Sequence, residues 1–548
     1  MELNKVIIYQ VFTRLFGNRC TTCKENGTLA ENGCGKMNDF TIETLKLIHS
    51  LGVSHIWYTG IIRHASETDY TRYGIPRQTP AVVKGRAGSP YAIVDYYDVD
   101  PDLAVDVDNR MQELEDLIER THQTGMKVII DFVPNHVARE YHSICKPEGV
   151  RDLGENDDTT QHFSVKNNFY YCWGQPLKWE GYSEQPAKAT GNDHFDAHPG
   201  RDDWYETVKL NYGVDYCDAG GRSEHFDPVP DTWHQMLDVL NYWADKGIDG
   251  FRCDMAEMVP VAFWEWAVSS VKERHPDLIF IGEVYQPSAY RQYIHAGFDY
   301  LYDKVGMYDC MRDVVTGRRC AADITSQWQA TDDIQEHMLY FLENHDEQRI
   351  ASDFFAGNGR KGFPAHLVSV LLRKNPYMLY AGQEYGERAM DKEGFSGVDG
   401  RTTIFDYWTV NTLYRGYFDR RKRTKEEKEL FAAYQQVMVL ANQEKAVSCG
   451  EMYDLMYANP QLADRQFAFL RKDKHELLLI VANFSEQDVS VHVNIPQHAF
   501  DFLKLTGRDS VMATDLLTNE SWKISLRADA PVVMSIPLLG GRVLKMKV

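Results

Sequence analysis

Eight short, nearly continuous apolar runs recur through the first three-quarters of the chain. They are KVIIYQVF (5–12), VSHIWYTG (53–60), KVIIDFVPNH (127–136), IDGFRCDM (248–255), LIFIGEVY (278–285), FDYLYDKV (298–305), HMLYFLENHD (337–346) and PYMLYAGQEYG (376–386). Runs of this length, rich in β-branched and aromatic residues and without a polar face, read as strands buried on both sides, as in parallel sheets covered by helices. Amphipathic helical patterns lie between several of them. In 231–246, Trp233, Met236, Leu237, Leu240 and Trp243 share one face, with Lys246 in the last turn and Gly247 as C-cap. The segment 108–124 repeats this pattern with Met111, Leu114, Leu117 and Ile118, and ends at Gly125. Strand and helix alternating through eight cycles predict an α/β fold, a parallel (β/α)8 barrel.

Two departures divide the chain. From His136 to about 230 lies a polar stretch rich in glycine and aromatics, without helical period and too long for an ordinary loop. Residues 138–210 are read as a small domain inserted after the third strand, on the carboxyl face of a barrel built from 1–137 and 211–444. After about 445 the pattern turns to period two: Val489, Val491, Val493 and Ile495 alternate with Ser490, His492 and Asn494. FAFLR (467–471), LLLIVANF (477–484) and GRVLKMKV (541–548) read similarly, so 445–548 is expected to form an antiparallel β-sandwich.

Composition narrows the partners. A formal charge of −21 repels phosphate backbones and anionic lipid surfaces, which excludes nucleic acid and favours a neutral substrate. Aromatic residues reach 12%, which suits stacking on flat ligand faces as well as filling a large core. Ten cysteines are scattered along the chain rather than packed as a disulfide scaffold. The opening stretch MELNKVIIYQVFTRLFG shows no basic head followed by a long apolar run, and no segment is long and apolar enough to span a bilayer. A cytoplasmic, reducing setting without membrane attachment is therefore expected; oligomeric state is not readable.

In a barrel of this kind, chemistry sits where strands end. The third run ends in Asp131, Asn135 and His136, the fourth in Arg252 and Asp254, the fifth in Glu283, and the seventh in His345 and Asp346. Three strand ends thus bring Asp254, Glu283 and Asp346 to one rim, each after an apolar run where an unpaired carboxylate is costly. Crowded carboxylates acquire separated proton affinities, as glycoside hydrolysis requires: one attacks the anomeric carbon and a protonated one serves the leaving oxygen. The competing reading is a set of rim salt bridges; three acids together with Arg252 and two histidines favour the catalytic one.

DFVPNH (131–136), GFRCD (250–254), IGEV (281–284) and ENHD (343–346) resemble, in order, the four sequence regions of the α-amylase family of glycoside hydrolases. The likeness extends to YQVF near the start, SPYAIVDYYDVDPDLA (89–104), LYAGQEYG (379–386) and FAFLRKDKHELLLIVANFS in the sandwich. It implies Asp254 as nucleophile, Glu283 as general acid and base, and Asp346 as the residue that holds the sugar's 2- and 3-hydroxyls. It also implies that Arg252 orients Asp254, that His136 and His345 bind sugar hydroxyls, and that Tyr91 stacks on a sugar ring. For Tyr91 a core position is the alternative.

The implied activity is retaining hydrolysis of α-1,4-glucosidic bonds in α-glucans or maltooligosaccharides. Transglycosylation, isomerisation and α-1,6- or sucrose-directed cleavage use the same scaffold, and a non-catalytic carbohydrate-binding relative would be expected to lack one of the three acids. Where many starch-cleaving members carry Lys-His after the nucleophile, this chain has Glu257 and Met258, which alters the leaving-group side of the cleft. TVKLN (207–211) resembles the fifth region of members acting on cyclodextrins, pullulan and short maltooligosaccharides. The chemistry needs no cofactor. Members often hold structural calcium beside the inserted domain, and Asn135 matches one ligand, with Asn211 near another; Asn135 tying down its loop is the alternative. Cys20, Cys23 and Cys34 have no visible fourth zinc partner and are read as metal-free. Arg63 and His64 are read as solvated loop residues rather than cleft lining.

Overall fold

The computed structural model describes residues 5–548. The first four residues of the opening stretch lie outside the described residues. Each apolar run contains one barrel strand: β1 (Ile7–Phe12), β2 (His55–Thr59), β3 (Lys127–Phe132), β4 (Gly250–Cys253), β5 (Ile279–Gly282), β6 (Tyr300–Tyr302), β7 (Met338–Phe341) and β8 (Tyr377–Tyr380). They pair in parallel and in chain order around a closed barrel, β8 returning to β1. The expected (β/α)8 fold is therefore observed.

The runs lack a polar face because the barrel has two apolar sides. Ile8, Trp57, Ile129, Ile281, Tyr302, Leu339 and Met378 fill its interior as a separate cluster. Their strand neighbours, such as Ile56, Ile130, Phe251, Phe280, Tyr340 and Leu379, face the surrounding helices. Period-two alternation thus operates with both phases hydrophobic. The helix Asp231–Asp245 buries Trp233, Met236, Leu240 and Trp243, and the chain turns out of it at Gly247, whose φ of 90° suits glycine. The second helix runs from Arg110 to Gln123, two residues inside the expected start. There the Asp106 carboxylate accepts from Asp108 N–H and caps a short 3-10 turn first.

After β3 the chain forms the strand His136–Ala138, which pairs antiparallel with Thr207–Lys209. The intervening stretch carries one small hairpin, Leu177–Trp179 with Tyr182–Glu184, and little other regular structure. It is tied down by side chains such as Arg139, which donates to Glu184 at 2.8 Å and to the Tyr205 carbonyl. At the C-terminal end, a six-stranded antiparallel sheet is joined by a two-stranded one, Val489–Val493 with Val532–Ile536. As the alternation predicts, Val491, Val493 and Ile495 are buried while Ser490 and His492 are exposed. No helix among the described residues is long and apolar enough to cross a membrane.

Arg471 links this sheet to the barrel. Its strand, Gln466–Lys472, buries the guanidinium, which donates to the carbonyls of Leu372 (2.7 Å), Ala446 (3.0 Å), Val447 (2.5 Å) and Gly450 (3.0 Å). Burial, with Arg373 nearby, pulls its pKa down to about 9. Replacing it leaves four carbonyls dry and unpaired, so Arg471→Met is expected to cost roughly 3 kcal/mol or more. Urea unfolding measures this; an unchanged midpoint would show that the linkage carries no stability.

Candidate active site

Alternation along the strands decides which side chains enter the barrel. On β4, Phe251 and Cys253 face the helices, so Arg252 points inward, and Asp254 follows in the same phase at the strand's end. On β5, Ile281 points inward, and Glu283 follows two residues on. Arg252 lies level with Asp131 on β3 and Ile281 on β5. It is fully buried. Its Nη1 donates to Asp254 Oδ1 at 2.6 Å, its Nη2 lies 2.8 Å from Glu283 Oε2, and its Nε donates to the Tyr302 hydroxyl at 3.2 Å. Rings of Trp57, Tyr91 and Tyr302 surround it at 5.2–5.5 Å.

Asp254, Glu283 and Asp346 line one cleft of 360 Å³, together with Tyr91, His136 and Trp204. Burial pushes Asp254 well above the ordinary carboxylate range; Arg252 pulls it back, and Glu283 and Asp346 push it further up. Asp346 is pushed up to about 7, first by burial and then by Glu283, against Arg252. Burial raises Asp131 to about 6 despite Arg252. Glu283 is pinned from two further sides: Met255 N–H donates to Oε2 at 2.8 Å, and the Tyr285 hydroxyl donates to Oε1 at 2.5 Å. Met255 adopts a left-handed φ of 43°, a strained choice for a residue with a side chain, and this turn aims its N–H at Glu283.

The remaining expected residues divide. Tyr91 is buried, its ring lies 5.2 Å from that of His345, and it also lines the cleft. His345 is held by Gln10, which donates to Nδ1 at 2.8 Å, leaving Nε2 near the Tyr91 hydroxyl (2.6 Å) and Asp346 (3.1 Å). Gln10 sits inside the first apolar run, and only the inward phase of β1 marks it. Tyr285 and Trp204 were likewise outside the expected set. Burial, helped by Lys209 and Lys84, drives the His136 imidazole down to about 3, so the ring is neutral.

The expectation for Arg63 and His64 is corrected. Arg63 and His64 are neither solvated nor in the cleft. They form the short strand Ile62–His64, and both are buried, Arg63 against Asp95 and Asp98 (3.1 Å each) and His64 against Asp100 (3.0 Å). Asp95, Asp98 and Cys145, the trio among the described residues spaced for a metal, are thereby neutralised by Arg63 and, at Asp98, by Arg110. Glu257 and Met258 line a neighbouring groove; Glu257 accepts from the backbone of Tyr285 at 2.9 Å and so steadies the loop after β5. Asn135 does not offer a free oxygen to calcium, because Oδ1 accepts from the Lys209 ammonium at 2.7 Å. Asn211 is also occupied, donating to the carbonyls of Ser164 and Asn167 and accepting from Gly213 N–H. The residues present do not fit a calcium ion. The thiols of Cys20 and Cys34 each point at a backbone carbonyl, of Glu31 and Gly35.

The structure is a closed parallel barrel with an acidic cleft at the carboxyl ends of β4, β5 and β7. Residues 10–450 match the family model described as alpha amylase, catalytic domain, and the chain belongs to the alpha-amylase family. It is 26% identical over 388 residues to alpha-amylase MalA of Haloarcula japonica, covering 70% of this chain and 44% of that protein's length. To a cyclomaltodextrinase of Bacillus sp it is 24% identical over 490 residues, covering 87% of this chain and 72% of the relative. In fold it resembles the alpha-amylase from Geobacillus thermoleovorans solved with acarbose, with a TM-score of 0.66 at 17% identity, covering 100% of this chain and 99% of that one.

The raised Asp346 carboxyl has a stability consequence. Its ordinary value is 3.8 and its folded value about 7, so between these pH values the folded state holds a proton that the unfolded state lacks. Stability then falls as pH rises through this window. Two-fifths of the side chain faces the cleft (41% exposed), so solvent screens part of the effect. Asp346→Asn is expected to raise Tm by roughly 1–3 °C at pH 8, with the gap closing at pH 4.5. An equal gap at both pH values would contradict the assignment.

Proposed function

We propose that the protein hydrolyses α-1,4-glucosidic bonds in α-glucans or maltooligosaccharides with retention of anomeric configuration. The observation that carries this reading is Arg252, whose single guanidinium fork reaches both Asp254 and Glu283. That suits the short separation of a retaining pair, about 5–5.5 Å, rather than the gap of about 6.5–9.5 Å that admits water between an inverting pair. Asp254, in its ionised form and aimed by the Arg252 guanidinium, attacks the anomeric carbon. Glu283 delivers a proton to the departing glycosidic oxygen, and a glycosyl ester forms on Asp254. Glu283 then takes a proton from water, whose oxygen attacks the same carbon and frees Asp254. Asp346 stabilises the positive charge that develops on the ring and holds its hydroxyls.

Tyr91, His136 and His345 serve the sugar bound at the bottom of the cleft. The same reading assigns 138–210 as an inserted domain that lends Trp204 and Thr207 to the cleft wall, and 445–548 as a separate sandwich. Ten unpaired thiols support a reducing, cytoplasmic setting, and the negative charge supports a neutral substrate free of nucleic acid.

Purified protein incubated with maltoheptaose is expected to give only shorter products by chromatography. Asp254→Asn should lose at least about 10³-fold in kcat while still folding, as its circular dichroism spectrum checks. Products longer than the input would replace hydrolysis by transfer, and near-normal turnover of the variant would remove Asp254 as nucleophile.

A further inference from the structure

Lys209 sits on the strand Thr207–Lys209, directly across from His136 in the antiparallel register, and is buried. Its ammonium donates to Asn135 Oδ1 at 2.7 Å, pairs with Asp193 Oδ1 at 2.5 Å, and lies 5.6 Å from the centre of the Tyr216 ring. A calcium ion needs about six to eight oxygens at 2.3–2.6 Å, and one placed on Asn135 Oδ1 would meet this ammonium instead. The disagreement with the calcium expectation therefore has a definite cause: the cation between barrel and insertion is covalently part of the chain.

This cation also settles a choice inside the site. Asn135 must turn its oxygen to the ammonium, because the flipped amide would set NH2 against NH3⁺. Its Nδ2 then donates to the Gly191 carbonyl at 2.7 Å and reaches His136 Nδ1 at 3.1 Å. His136 Nδ1 is consequently the acceptor, and the neutral ring carries its hydrogen on Nε2; the Tyr91 backbone is the other hydrogen-bond partner of this ring. We infer that Lys209 replaces a structural metal and, through Asn135, positions His136 as a hydrogen-bond donor in the cleft. Lys209 is a positioning residue, and its effect on turnover rests on the glucan-cleaving reading above.

The test uses the full chain labelled with 15N-histidine, with His136→Gln to assign the ring signals. Wild type should show His136 protonated at Nε2, and Lys209→Met should shift it toward the Nδ1 form or a mixture. If Lys209→Met does not fold, Asn135→Ser, which keeps the ammonium and removes the amide, gives the same readout. Wild-type Tm should be indifferent to EDTA and to added calcium, whereas Lys209→Asp, which supplies a carboxylate beside Asp193 and Asn135, should melt higher with calcium and lower with EDTA. On maltoheptaose, Lys209→Met should lose about 10-fold in kcat/KM, and should lose nothing more in a His136→Ala background. A wild-type Tm that drops on chelation overturns the proposal, as does an unchanged His136 tautomer in both variants. If the wild type does not act on maltoheptaose, the glucan reading fails, while melting and ring signals still decide the role of Lys209.

Discussion

Arg252 carries a permanent charge inside a barrel whose other interior residues are mostly aliphatic or aromatic. Such burial is tolerated only if the charge is surrounded by acceptors and anions. The barrel meets that demand with Asp254 and Glu283 at its mouth, Asp131 4.0 Å away on the adjacent strand, and the Tyr302 hydroxyl. The acids in turn could not be crowded into one cleft without the arginine. Asp254 is driven upward by burial, Glu283 and Asp346, and Arg252 is the main force against that drift. Charge pairing is thus a condition of the fold at this level as well as of the chemistry.

The barrel strands and the three acids were legible because both follow from local pattern. Each strand lies in a mainly apolar run; Asp254 and Glu283 directly follow theirs, and Asp346 closes the polar stretch Glu343–Asp346 that follows the seventh. Gln10 was hidden because a polar residue inside an apolar strand has no local mark; only its inward phase on β1 and its contact with His345 give it meaning. Arg63 and His64 were misread for the converse reason. Polar residues after a strand look like loop, yet these pair with Ile93–Val99 and with acids buried beneath them. Lys209 lies in a stretch without periodicity, and its role depends on pairing with a strand far away in sequence. Met255 was illegible because its contribution is a backbone angle.

The insertion extends the same electrostatic logic outward. A chain with a charge of −21 keeps positive charge at selected buried points: Arg252 in the barrel, Lys209 at the seam with the insertion, and Arg63 beneath the loop after β2. Arg252 holds two of the cleft acids, Lys209 holds Asn135 beside His136, and Arg63 holds Asp95 and Asp98. The Lys84–Glu206 pair, at 2.9 Å, lies on the cleft wall itself and joins the loop after β2 to the end of the insertion. Rigid placement of the site is thus distributed over a few buried cations rather than over the loops that carry the acids.

In the proposed retaining reaction, Asp254 becomes covalently bound to the sugar. A glucosyl fluoride bearing a second fluorine on its ring, which forms the ester faster than water resolves it, tests this directly when the treated protein is digested and analysed by mass spectrometry. One added glycosyl mass is expected on the peptide carrying Asp254, absent from Asp254→Asn. A label on Glu283, or turnover that releases a product of inverted configuration with no labelled peptide, would contradict it.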